Sequence, residues 1–419
     1  MRLTALLQRD FVFFDGAQGS LLQKRGLPPG ARVDVMNKIA PEAVEEVQRG
    51  YALAGSDILC TNTFGSNARA LRGTGLTVED AISAAVAITK RAGEGRALTA
   101  LDMGPVGELL YPNGPVSFQE AYELFREQAV AGEKAGADLV AIETMTDLLE
   151  VRAAILAVRE NTNLPVFVSM AFNASGRTYL GCRPESFALM AERLGAAAVG
   201  VNCSLPPKDL VSAVESIGRA TRLPLIVKPN GGLPDSKGEY ALGPEEFARQ
   251  MEVYAGLGAK VLGGCCGTTP EHIRALRERY QGLRPGARDV EDMSRVIASP
   301  GALASLEDLK MPPAPAKRGR TWEEAAEEAL SRAEETRAEI AALPLEGLSR
   351  EDAERAALHI QSISRLPLCF VSGSEEALEG ALRVTAGSAA VWRGCCDGAE
   401  KLAARYGAVV FDTDFGGTA

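Results

Sequence analysis

Three of the eight cysteines in this 419-residue chain stand where their thiols can converge on one metal ion. Cys265 and Cys266 are adjacent in "VLGGCCGTTPEHI", residues 261–273. Adjacent cysteines rarely bond to each other, because the eight-membered ring needs a strained peptide. Two buried structural thiols would not need Gly263, Gly264 and Gly267 around them. Those glycines let the backbone turn tightly, so that both sulfurs can face one point. Cys203 ends a separate apolar run, "VGVNCS". Three thiolates plus one open position form a catalytic zinc arrangement, whereas a closed four-ligand set is structural. Cysteine is also among the most buried residues, and a strand cysteine is often plain core packing. Cys203 and Cys265 are 62 residues apart, which is not a local zinc-ribbon spacing. Spacing alone therefore leaves both uses open.

For the three thiols to meet, separate elements must bring them together. One local pattern recurs: a helical stretch ends in Gly plus a small residue, and an apolar β-rich run follows. It appears at Gly55, Gly136, Gly195 and Gly258. Glycine there is a helix C-cap in the left-handed conformation. The run after it, apolar throughout, is a buried parallel strand. Eight strands are expected: Phe11–Phe14, Ile58–Phe64, Leu98–Met103, Leu139–Glu143, Val166–Phe172, Ala198–Cys203, Leu225–Lys228 and Lys260–Gly264. Eight βα units over about 280 residues fit a (β/α)8 TIM barrel. A doubly wound sheet is the alternative, but no G-x-G-x-x-G follows the first strand. In a barrel, the C-terminal strand ends face the active site. Cys203 would end strand six, and Cys265 and Cys266 strand eight, with strand seven between.

Composition narrows the function further. The net charge of −10 comes with no basic stripe, which argues against a nucleic-acid partner. No apolar run is long enough to span a bilayer. The N-terminus, "MRLTALLQRDFVFFDGAQGS", is expected to be a helix running into a strand, not a signal peptide. Irregular cysteine spacing points to a reducing, cytoplasmic setting, in which metal binding or catalysis outweighs disulfides. The only histidines, His272 and His359, are too few for a His-based zinc site or a Ser-His-Asp triad. Thr269-Pro270 marks a helix start. It makes His272 a surface or capping residue and a poor ligand.

The sequence divides into residues 1–290, a barrel; 291–320, a linker carrying Pro312, Pro313 and Pro315; and 321–419, a small α/β unit. Thr321 with Glu324 is a capping box that opens the last unit. Cys60 and Cys182 read as ordinary residues. Cys395-Cys396 forms a second adjacent pair without a third cysteine at a matching strand end, and Cys369 lies too early in its strand. That pair reads as structural.

"FDGAQGS", "TNTFGSN", "IETMTD", "GVNCS" and "GGCCGTTPEHI" together resemble the zinc-dependent homocysteine S-methyltransferases, especially the N-terminal homocysteine barrel of cobalamin-dependent methionine synthase. The resemblance covers roughly residues 1–290. It implies a zinc ion on Cys203, Cys265 and Cys266, with homocysteine as substrate and methionine as product. Zinc deprotonates a coordinating thiol, and the thiolate is the nucleophile.

By the same resemblance, Asp15 and Glu143 match acidic residues near the substrate ammonium, and backbone amides after Gly16 suit its carboxylate. Asn202 and Asn62 are either groups that orient ligands or satisfied loop amides. Residues 355–413 weakly resemble part of a pterin-binding barrel, but its opening strands are missing and no D-x-H-x-x-G cobalamin signature occurs. The expected methyl donor is therefore a corrinoid protein in trans, with the chain a methionine-synthase fragment or split form. S-methylmethionine, S-adenosylmethionine or betaine is the alternative donor. A zinc- and homocysteine-binding module without turnover is the non-enzymatic alternative.

Overall fold

A computed structural model describes residues 3–27, 32–236, 238–308, 321–393 and 396–411. Eight parallel strands form one curled sheet: β1 (Val12–Phe13), β2 (Ile58–Cys60), β3 (Leu98–Met103), β4 (Leu139–Met145), β5 (Val166–Met170), β6 (Ala198–Asn202), β7 (Leu225–Lys228) and β8 (Ala259–Leu262). Their order is β1-β8-β7-β6-β5-β4-β3-β2, and helices alternate with them along the chain. The ring nearly closes between β1 and β2 through a Phe14–Ile58 bridge. There the Asp57 amide donates to the Phe13 carbonyl at 2.6 Å. This is the expected (β/α)8 TIM barrel, not a doubly wound sheet.

The local signals act as expected. Gly55 (φ 99°) and Gly136 (φ 89°) cap their helices in the left-handed conformation. Gly195 and Gly258 also have positive φ. Side chains alternate across each strand. Phe14, Cys60, Ala100, Ala141, Ile226 and Val261 belong to one cluster that fills the barrel interior. Phe13, Leu101, Val140 and Ile142 face outward to a larger cluster shared with the helices. Continued along the strands, the inward parity points Asp102, Glu143, Asn202 and Lys228 toward the barrel mouth.

Strand two is shorter than expected, ending at Cys60 instead of Phe64. Side chains there compete with the ladder: the Thr61 and Thr63 hydroxyls lie 2.6 Å apart, and the Thr63 amide bonds the Thr61 carbonyl at 2.9 Å. Such local bonds turn the chain out of a sheet.

After the barrel, β9 (Val296–Ala298) and β10 (Leu303–Ser305) pair antiparallel within the expected linker. Ala298 also bridges to Ser388. Residues 309–320 of that linker lie outside the described residues. Four parallel strands follow in sequential order: β11 (Ala341–Pro344), β12 (Leu368–Val371), β13 (Ala390–Trp392) and β14 (Val409–Phe411). The Thr321–Glu324 capping box opens the helix before them. Strand order without reversal is the progression of a barrel wall, not of a sheet with a switch point.

The helix Leu148–Asn161 joins the two units. Eleven consecutive residues, Leu148 to Val158, are buried. A helix buried all round needs cover on both faces. One cover is the barrel. The other is the C-terminal unit, where the buried Arg152 guanidinium donates to the Leu382, Arg383, Gly387 and Tyr406 carbonyls. Its partners include the last turns of two helices, Glu375–Arg383 and Ala399–Tyr406, whose C-terminal dipoles favour a cation.

Candidate metal and substrate site

β6 delivers Cys203 and β8 delivers Cys265 and Cys266, so three strand-end sulfurs meet at the barrel mouth. All three Sγ atoms lie within 4.8 Å of one another. Cys203 Sγ and Cys266 Sγ are 3.9 Å apart. An ion with sulfur ligands at about 2.3 Å in a tetrahedron would set them about 3.8 Å apart. The donor set therefore fits a tetrahedral metal ion.

The thiols also alter one another's acidity. Hydrogen bonds from Cys203 and Cys265 push the Cys266 thiol down, while its neighbours and then burial push Cys265 up.

Tight backbone makes this convergence possible. A Cβ on Gly264 would sit 2.3 Å from Thr268 Oγ1, and one on Gly16 would sit 2.4 Å from the same atom. Thr144 (φ 61°), Cys203 (φ 60°) and Ser204 (φ 57°) take left-handed backbone without being glycine. Such conformations cost of order 1–3 kcal/mol each and cluster at functional sites.

Asn202 fastens this turn. Its Oδ1 accepts from the Thr144 amide at 2.7 Å and the Ser169 hydroxyl at 2.8 Å. Its Nδ2 donates to Thr144 Oγ1 at 2.7 Å and lies 3.9 Å from Cys265 Sγ. Asn62 has a different job, donating to the Val33 carbonyl and to Asn37 Oδ1. It holds the loops after β1 and β2 together.

The three cysteines line a cavity of about 530 Å³ together with Asp15, Gly16, Asn62, Asp102, Glu143 and Lys228, among others. Asp15 Oδ2 accepts from the Cys60 amide at 2.8 Å. Burial above all raises its pKa to about 7. Glu143 is ion-paired with Lys228, whose side chain is 4% exposed. Burial opposes the Lys228 charge, yet the surrounding anions hold its pKa well above the usual lysine value. After Gly16, the Ala17 amide is already engaged with Thr268 Oγ1 at 3.2 Å.

No sequence motif singles out Asp102 or Lys228. Each is a charged residue near the end of an apolar strand, "LTALDM" and "LIVK", at inward parity. That parity was the available signal.

His272 is a cap, as expected, but it is buried rather than on the surface. Its Nδ1 accepts from the Thr269 amide at 3.1 Å, and its Nε2 pairs with the Leu242 carbonyl at 2.8 Å. Cys60 and Cys182 are buried in the core. Cys396 packs against the core, while Cys395 lies outside the described residues.

A family model described as homocysteine S-methyltransferase matches residues 12–280. Methionine synthases of Mycobacterium leprae (strain TN) and Mycobacterium tuberculosis (strain ATCC 25618 / H37Rv) are 33% and 32% identical, over 65% and 69% of this chain. Those matches cover 24% and 26% of the relatives, so the chain spans about a quarter of their length. Among solved structures, the oxidized form of the Escherichia coli homocysteine methyltransferase MmuM superposes with a TM-score of 0.58 at 25% identity, covering 66% of this chain and 99% of that one. Its metallated form shares the fold, with a TM-score of 0.57 at 24% identity over the same shares of the two chains.

Proposed function

The chain belongs to the homocysteine S-methyltransferase family, and from that premise we propose that it methylates the thiol of homocysteine, giving methionine, with a zinc ion on Cys203, Cys265 and Cys266. The observation that carries this reading is three sulfurs within 4.8 Å of one another, opening on a cavity lined by carboxylates. That combination suits an amino-acid thiol end to end, with sulfur at the cluster and ammonium at the acids. Metallation of the Escherichia coli relative supports a resident ion.

Bound zinc would supply a fourth position at which a substrate thiol loses its proton and stays nucleophilic. The chain's own residues supply the rest. Asn202 keeps the Cys203 turn and the Cys265 sulfur in register. Asp15 and Glu143 hold the substrate ammonium. The turn after Gly16 takes the carboxylate through amides other than that of Ala17. In the displacement, a sulfur–methyl bond forms as the donor–methyl bond breaks. No protein base is needed at that step, because a thiol bound at the metal position would already have released its proton to solvent.

The proposed donor is a methylcorrinoid protein in trans. Support comes from the two methionine synthases, of which this chain spans about a quarter. Phe64 is the one aromatic among the described residues lining the cavity, which does not make the aromatic cage suited to betaine. In this reading residues 1–290 carry the chemistry and 321–419 are an accessory unit. A reducing cytoplasm is where three such thiols persist.

The test is methionine formation by the zinc-loaded chain, with methylcobalamin, S-methylmethionine, S-adenosylmethionine and betaine offered separately. Turnover with methylcobalamin alone is the expected result. Turnover with a sulfonium or betaine would replace the donor assignment. No turnover with any donor, despite one zinc per chain, would reduce the site to a binding module.

A further inference from the structure

The cavity holds a group of acidic side chains and one lysine that the thiol cluster does not account for. Asp15, Asp102, Glu143 and Lys228 come from four different strand ends, and their charges act on one another. The single cation among them is already engaged. Lys228 Nζ donates to Glu143 Oε2 and lies 4.5 Å from the centre of the Phe14 ring. Asp15 has committed Oδ2 to the Cys60 amide. What remains is Asp15 Oδ1 and Asp102 Oδ1, both buried and both without a hydrogen-bond partner among the described residues. Asp15 is 1% exposed and Asp102 is 8% exposed, and both line the cavity.

An unsatisfied buried acceptor costs about 1–3 kcal/mol, and more when it is charged. Two on one cavity wall call for a donor that arrives with the ligand. The charge count specifies the donor further. Three carboxyl groups share one ammonium, so an arriving cation is what lets Asp15 and Asp102 carry their charge. An α-ammonium brings one positive charge and three N–H donors. Asp15 Oδ1, Asp102 Oδ1 and the second oxygen of Glu143 offer three acceptors.

We infer that Asp102 is a substrate-binding residue, accepting the α-ammonium together with Asp15 while Lys228 holds Glu143 at the third side of the seat. This rests on the reading of the cavity as a homocysteine site and adds a residue and a specificity to it. The pocket selects a thiol that carries an amine over the same thiol without one. Before ligand arrives, burial and then the Glu143 charge hold the Asp102 carboxyl toward its neutral form. An ammonium beside it favours the carboxylate.

The test is calorimetric titration of the zinc-loaded full chain with homocysteine and with 4-mercaptobutanoate, which lacks only the amino group. The wild-type chain should bind homocysteine at least ~10-fold more tightly, the discrimination expected of a buried charged contact. Asp102→Asn keeps the shape and should cut that ratio by ~10-fold, while leaving 4-mercaptobutanoate affinity and zinc content unchanged. Asp102→Ser, which removes the carboxyl without added bulk, should do the same and stands in if the first variant fails to fold. An unchanged ratio in a variant that still binds homocysteine overturns the role of Asp102 alone. A wild-type chain that binds 4-mercaptobutanoate but shows no preference for homocysteine overturns the ammonium seat. A wild-type chain that binds neither thiol overturns the homocysteine reading itself.

Discussion

Glu150 shows how a single buried acid can make this barrel sensitive to pH without taking part in the chemistry. It lies in the first turn of the helix Leu148–Asn161 and is 4% exposed. Its Oε1 accepts from the Val106 amide at 2.7 Å. Burial raises its pKa from 4.5 to about 7, with the Val106 bond opposing and the Asp147 charge adding. The folded chain therefore holds this proton more tightly than the unfolded chain. The resulting stability is fully present below the unfolded pKa and is lost as pH rises toward about 7. Glu150→Gln keeps an acceptor and removes the titration. The stability of the wild type minus that of Glu150→Gln, from urea unfolding, should fall by on the order of 2 kcal/mol as pH rises from about 4.5 to 7, then stay flat. A difference that is constant with pH would show that Glu150 titrates alike in both states.

At the scale of the strands, the position of the site depends on how closely β6 approaches β7. Gly200 faces inward on β6, and a Cβ there would lie 1.9 Å from the Ile226 carbonyl oxygen, which is backbone. Gly200→Ala must push the two strands apart, at about 1–3 kcal/mol. Because β6 carries Cys203 and β8 carries its partners, the same variant should weaken metal retention as well as lower the melting temperature. Melting curves and competition with a chelator check the two effects, and a lower melting temperature with unaltered metal retention would refute the coupling. Strand identity, helix caps and the three-cysteine convergence were legible in the sequence, because each depends on local pattern or strand parity. Asp102 and Lys228 were legible in principle by the same parity, but an isolated charge at a strand end looks like any solvated loop residue until its burial is known. The left-handed turns at Thr144, Cys203 and Ser204 had no such signal. Nothing in those residue types announces them, since the surrounding hydrogen bonds impose the conformation. The end of β2 at Cys60 was hidden for a related reason, as the hydroxyls of Thr61 and Thr63 decide it and threonine otherwise favours strands.

Across the whole molecule, the barrel and the C-terminal unit are joined by buried polar chemistry as well as apolar contact. Among the described residues Arg152 has no carboxylate hydrogen-bond partner, and its charge is met by four carbonyls. Arg193 adds bonds to Ser388 Oγ at 2.5 Å and the Met293 carbonyl at 2.6 Å. Glu160 pairs with both Arg383 and Arg405. Replacing Arg152 by Leu strands the carbonyls without donors and should cost about 3–5 kcal/mol. Hydrogen exchange should rise first at the ends of the helices Glu375–Arg383 and Ala399–Tyr406. Equal exchange in variant and wild type would mean that the apolar contacts alone hold the units together.

The seat of Arg152 also sets a timetable. The last barrel strand is complete at Leu262, but the final carbonyl of the seat belongs to Tyr406. At about 5–20 residues per second, the roughly 140 residues between them take the ribosome about 7–30 s. Throughout that interval the outer face of the helix Leu148–Asn161 has neither its cover nor the acceptors for its guanidinium. A nascent chain that has already closed its barrel is therefore left for many seconds with a sticky, charged wound on one side, and that is the stage at which a chaperone would have most to do.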